Sequence, residues 1–156
     1  MISLMRVDDR LLHGQVAFLW TKTLSIQKII IANDNVAHDE FLKMTLGMSK
    51  PMGVELMILD VKDAIQQINI EEKNSAHVLI VVNNLQDAKN IIDASTTINS
   101  LNLGQLRERP DSTRYSTSVT LTPEDITIIK ELIEKNVEVY IRTTPDDKKN
   151  QLNKLL

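Results

Sequence analysis

The sequence contains no cysteine. A disulfide scaffold, a thiolate zinc site, an iron–sulfur centre and a thiol nucleophile are therefore excluded, and the chain suits a reducing compartment. Glycine and proline are scarce, at four each. Neither GxxxxGK[ST] nor GxGxxG occurs, so a nucleotide-binding loop of the usual kind is absent. Aromatic residues make up 3%, which removes the stacking platform that single-strand binders use. Neither sign of charge dominates: the formal net charge is −3, which argues against a general nucleic-acid binder. No apolar run approaches the roughly 20 residues that span a bilayer. The longest, KIIIA (28–32) and HVLIVV (77–82), are strand-sized. Asp8 and Asp9 interrupt any signal-peptide core. The chain is thus expected to be neither exported by that route nor embedded, while docking on a membrane protein stays open. A length of 156 residues points to one domain over 1–156. At that size about two thirds of the unfolded surface is buried without staples.

What is present alternates. Strands are expected at 2–7, 28–32, 54–59, 77–82, 98–103 and 137–142. Helices are expected at 14–24, 39–48, 61–68 and 85–94, from about 122 to 135, and at 145–156. Pro51 and Gly53 mark a turn, 71–75 a polar loop, and 105–118 the longest irregular stretch. Thr122 is a natural N-cap with Pro123 at the first helical position, and Glu124 and Asp125 complement the dipole. Apolar strands alternating with helices imply an α/β fold. We expect a single three-layer domain, with a mainly parallel sheet of about six or seven strands and helices on both faces. The working site of such a sheet lies beyond the carboxyl ends of its strands.

The loop after the first strand is the richest. Residues 6–15 read RVDDRLLHGQ. A phosphoryl carrier needs a nucleophile that is neutral near pH 7, and imidazole, with a pKa near 6.5, meets that need at His13. It needs cations for the phosphoryl oxygens, and Arg10 or Arg6 can donate paired hydrogen bonds. A helix starting near Gly14 aims its first amides at the same place. Gly14, lacking a Cβ, admits close backbone approach, and Gln15 follows as a further phosphate-binding candidate. Asp8 or Asp9 can orient the imidazole or hold an arginine, with Asp9 the favoured orienting group. Such a transfer asks mostly for positioning and charge stabilisation, so neither metal nor cofactor is expected.

The run RVDDRLLHGQV (6–16) resembles the N-terminal signature of IIB components of the bacterial sugar phosphotransferase system, in the mannose–fructose–sorbose class. Similarity continues in order through IIIANDNVA (29–37), MSKPMGVELMI (48–58), LNLGQL (101–106), VTLTPED (119–125) and VEVYIRTTPDD (137–147). Leu12 stands where isoleucine is common, and Gln105 where a second glycine is frequent. The resemblance implies a cytoplasmic protein-histidine:sugar phosphotransferase that associates peripherally with a membrane transporter. It implies phosphorylation of His13 by a IIA partner, ordinarily on the δ nitrogen, and transfer to a sugar held by IIC and IID membrane components. The family's phosphate-binding arginine falls on Arg10. Mannose, fructose, sorbose and amino sugars such as N-acetylgalactosamine all remain open, as does homo-oligomerisation.

A receiver-like domain phosphorylated on aspartate is the alternative. Asp8 and Asp9 follow the first strand and Asp60 the third, but no lysine lies near Gly104 and Gln105. His38, His77 and Trp20 read as structural. Asn33 or Asp34 after the second strand, and Asn83 and Asn84 after the fourth, border the site by topology or else form ordinary turns, the turn being favoured; Arg107, Arg109 and Arg114 read as a solvated loop, with an acidic partner surface as the alternative.

Overall fold

The computed structural model describes residues 1–154 and 156. The chain runs β1 (Ile2–Asp8), α1 (Gly14–Leu24), β2 (Lys28–Ala32), α2 (Asp34–Ala37), α3 (Glu40–Gly47), β3 (Glu55–Leu59) and α4 (Val61–Glu71). It continues through β4 (Val78–Val82), α5 (Leu85–Asp93), β5 (Ser100–Gln105), β6 (Thr113–Arg114), β7 (Thr120–Leu121), α6 (Pro123–Glu134), β8 (Glu138–Ile141) and β9 (Asn150–Gln151). Seven strands form one sheet in the order β3-β2-β4-β1-β5-β8-β9. Neighbours are parallel except β8 and β9.

The expected three-layer sheet follows from strand side-chain alternation. Leu4, Ile29, Ile31, Leu79 and Val81 face one way and pack with Ala17 and Trp20 of α1. Met5, Val7, Ile30, Ala32, Ile80, Leu101 and Leu103 face the other way, against Ala64 and Ile68 of α4, Ala88 and Ile91 of α5, and Ile129 and Leu132 of α6. Ile29, Ile30 and Ile31 are all fully buried; each contributes about 1.5–3 kcal/mol. That is why the strand reads as an unbroken apolar run. The chain leaves β1 to build β2 and β3 on one side, returns through β4, and then crosses to β5 on the other. The loop after β1 therefore opens where the winding reverses, the usual place for a ligand.

Local signals place the helix starts. Asp60, Asn84 and Thr122 each accept a hydrogen bond from a first-turn amide. Thr122 and Asp125 form a reciprocal capping box, with Pro123 at the first helical position. Elsewhere the structure departs from expectation. The helix expected over 145–156 is absent among the described residues, and Leu155 lies outside them. β9 pairs with β8 there instead, Tyr140 opposite Gln151, and Leu152 is fully buried. Closing the sheet edge outweighs local helix propensity. A short helix capped by Asn33 fills 34–37. The stretch expected to be irregular at 105–118 carries β6, which pairs antiparallel with β7.

Glu72, at the end of α4, accepts from Ser95 Oγ at 2.7 Å, from Thr97 N at 2.8 Å and from Thr97 Oγ1. Burial alone would raise its pKa, but these donors outweigh it and hold the carboxyl below its ordinary 4.5. A depressed carboxyl stabilises the fold above its unfolded pKa, and that contribution is lost as pH falls through the folded value. Glu72→Gln is expected to cost roughly 1 kcal/mol at neutral pH. The gap to wild type should close below pH 4.5, as followed by urea unfolding at stepped pH. A gap that stays constant into acid would contradict the assignment.

Candidate phosphoryl-transfer site

The loop after β1 is a tight turn. Leu11 N donates to Asp8 O at 2.8 Å, and Leu11 takes a left-handed φ of 61°. That conformation costs a residue with a Cβ about 1–2 kcal/mol. Burial of the Leu11 and Leu12 side chains offsets it. With two leucines pinned in the core, the chain turns outward at His13, the N-cap of α1, with extended φ −115° and ψ 120°. Its carbonyl accepts from Ala17 N at 2.8 Å, but its imidazole makes no capping bond and is exposed. The amides of Gly14, Gln15 and Val16 precede the first intrahelical bond, so the positive end of α1 opens beside the ring. Gln15 is exposed. A Cβ on Gly14 would meet Ser49 O at 3.7 Å, an ordinary contact.

Asp8 organises the cations. It is 1% exposed. Its Oδ1 accepts from Arg10 N at 2.9 Å and Arg10 Nε at 3.1 Å. Its Oδ2 accepts from Arg10 Nη2 at 3.0 Å and Arg6 Nη2 at 3.1 Å. Arg10 thus spends one edge of its guanidinium on Asp8 and keeps Nη1 on the other, with the side chain 24% exposed. Two guanidinium cations share one carboxylate, which leaves positive charge in excess.

Arg6 was expected near the phosphate but is buried beneath the loop, at 2% exposure. Its Nη1 donates to Asn102 Oδ1 at 2.7 Å and to Arg142 O at 3.2 Å. Burial lowers its pKa from the ordinary arginine value, with Asp8 opposing. Its guanidinium lies 5.8 Å from the Trp20 ring centroid, and Trp20 Nε1 donates to Thr143 O at 3.2 Å. Asp9 was expected to orient the imidazole. Instead its Oδ2 accepts from Arg107 N at 2.8 Å and Arg107 Nε at 3.1 Å. Among the described residues no hydrogen bond reaches the His13 ring. Arg107 and Arg109, expected in a solvated loop, anchor it: Arg109 Nη2 donates to Asp125 Oδ2 at 2.8 Å.

Sequence reasoning missed Asn102 and Arg142 as partners of Arg6. A signal for Asn102 was there, an amide between leucines in a buried strand. His77 is structural as expected, its Nδ1 lying 3.1 Å from Ser3 Oγ. Asp8, Asp9 and Asp60 are not gathered. β4 and β2 separate β1 from β3, which sets the strand ends about 14 Å apart, and Asp60 is occupied capping α4. The receiver arrangement is therefore lost.

Residues 2–156 match the family described as PTS system sorbose subfamily IIB component. A probable phosphotransferase enzyme IIB component from Streptococcus pyogenes serotype M6 is 34% identical, covering 100% of this chain and 99% of that one. The mannose-specific EIIAB component of Escherichia coli K12 is 32% identical over 99% of this chain, which spans 48% of that relative's length. The crystal structure of the IIBSor domain of the sorbose permease from Klebsiella pneumoniae superposes with a TM-score of 0.91 at 29% identity, covering 99% of this chain and 94% of that one. The chain belongs to the sorbose subfamily of IIB components of the phosphotransferase system.

Proposed function

We propose that this IIB component carries a phosphoryl group on His13, accepting it from a IIA partner and passing it to a sugar held by IIC and IID membrane components. The observation that carries this is the exposed imidazole, free of hydrogen bonds among the described residues, at the start of α1, three residues after an arginine fixed by a buried aspartate. In the first step an imidazole nitrogen attacks phosphorus; the P–N bond forms as the bond to the donor group breaks, and the proton on the ring's other nitrogen passes to that leaving group. In the second step a sugar hydroxyl attacks, the P–N bond breaks, and the hydroxyl proton returns to the freed ring. Arg10 Nη1 and the amides of Gly14 and Gln15 stabilise the phosphoryl oxygens. Asp9 holds Arg107 and so fixes the far wall of the loop.

A carrier must present its group to protein partners. Phe18 on α1, Phe41 and Met44 on α3, and Met48 and Met52 after it are all exposed. Ser49 lies against Gly14, so this apolar surface adjoins the site and suits partner docking. Among the described residues no helix is long and apolar enough to cross a membrane, which fits a cytoplasmic protein that docks on a transporter.

Incubation with the general phosphotransferase proteins, a IIA partner and labelled phosphoenolpyruvate is the test. One acid-labile, base-stable phosphoryl group per chain is expected. Label cleaved by base would indicate an acyl phosphate, and no label would indicate a module that only binds.

A further inference from the structure

We infer that Gly104, together with Arg6, is a positioning element for phosphoryl transfer: the missing Cβ of Gly104 reserves the volume in which the Arg6 guanidinium holds Asp8, and through it Arg10, in place. This rests on the carrier function proposed for His13. The register supplies the first observation. β1 and β5 pair Arg6 with Asn102 and Val7 with Leu103, but then Asp8 with Gln105. Gly104 is the extra residue of a bulge at the level of the site, and bulges serve to re-aim neighbouring side chains.

The second observation is steric. A Cβ on Gly104 would stand 2.1 Å from Arg6 Cζ, 2.2 Å from Nη2 and 2.5 Å from Nη1. Those are the guanidinium atoms themselves, and they cannot withdraw without breaking the hydrogen bonds that hold them. Asn102 Oδ1 and Arg142 O fix Nη1 on one side, and Asp8 Oδ2 fixes Nη2 on the other. Asn102 Nδ2 also donates to Arg142 O at 2.9 Å, which closes the cradle. Of the chain's four glycines, only Gly53 has a positive φ. The Gly104 backbone is therefore open to alanine, and a single methyl tests volume alone.

Displacing Arg6 removes one of the two donors on Asp8 Oδ2 and loosens the carboxylate that holds Arg10. Arg6 touches no reacting atom, so its loss should slow the chemical step without weakening encounter with the donor. Gly104→Ala is expected to lower kcat for phosphorylation of His13 by roughly 10–100-fold. KM for the IIA donor should change less than about threefold, because the docking surface is untouched. Arg6→Lys replaces the planar fork with one small ammonium and leaves room for the methyl. In the Arg6→Lys background, adding Gly104→Ala should therefore cost little further, a strong coupling in a double-mutant cycle. If Gly104→Ala does not fold, as judged by melting, Arg6→Lys alone must show the kcat loss at constant KM. Equal losses from Gly104→Ala in both backgrounds, or an unchanged kcat in Arg6→Lys, would overturn the inference. Wild-type protein that takes no label at His13 would instead remove the carrier function beneath it.

Discussion

His13→Ala is expected to abolish phosphoryl transfer while leaving the fold intact. The imidazole is exposed, caps nothing and accepts no hydrogen bond among the described residues. Its removal should change stability by no more than about 0.5 kcal/mol, as for other surface positions without partners. What the proposed carrier loses is its nucleophile, and the neighbouring cations and amides then have nothing to stabilise. Incorporation of label and phosphorylation of sugar should both fall by roughly a thousandfold or more. An unfolding curve overlaying wild type would show that chemistry alone was removed. Retained label in a folded His13→Ala protein would move the role to another residue.

Asp8→Ala is expected to damage both stability and transfer. It leaves Arg6, 2% exposed, and Arg10 facing each other without their shared carboxylate. Breaking a buried ion pair from one side typically costs about 3–5 kcal/mol. That is a large part of the roughly 5–15 kcal/mol by which domains of this kind are stable. Arg10 also loses three hydrogen bonds, two from its side chain and one from its backbone amide, so the loop as well as the cation becomes free. Asp8→Asn keeps one carbonyl acceptor and should fall between the two. Urea unfolding of the three proteins, with transfer rates measured well below each midpoint, gives the comparison. An Asp8→Ala protein within about 1 kcal/mol of wild type would mean that the two arginines find other partners and that the carboxylate is not the hub.

Much of the fold could be read from the sequence because the physics there is local. A strand covered on both faces must be apolar throughout, and β4 is, as is β2 after Lys28. α1 shows its apolar face through Trp20, which is buried, and Val16 and Leu24, which pack partly buried against the same core, and α6 announces its start with Thr122, Pro123 and Asp125. What could not be read depends on partners distant in the chain. Residues 145–156 carry a helix-forming composition, yet Asn150 and Gln151 lie on the open edge of β8, and no local pattern encodes that vacancy. Arg6 read as a phosphate ligand because its acceptors Asn102 Oδ1 and Arg142 O lie 96 and 136 positions along the chain. Asp9 and Asp8 are indistinguishable as letters. Strand alternation separates them, turning Asp8 inward beside Arg6 and Asp9 toward Arg107. The site was legible as a set of residue types, and its division of labour only from the sheet register.

The proposed transfer centres on one imidazole at the head of α1. Phosphorus NMR of the protein charged through a IIA partner, combined with fragmentation mapping of the labelled peptide, tests it most directly. A single phosphoramidate on the His13 ring, on the δ nitrogen, is predicted. A phosphoryl group mapped to any aspartate, or to His38 or His77, would contradict it.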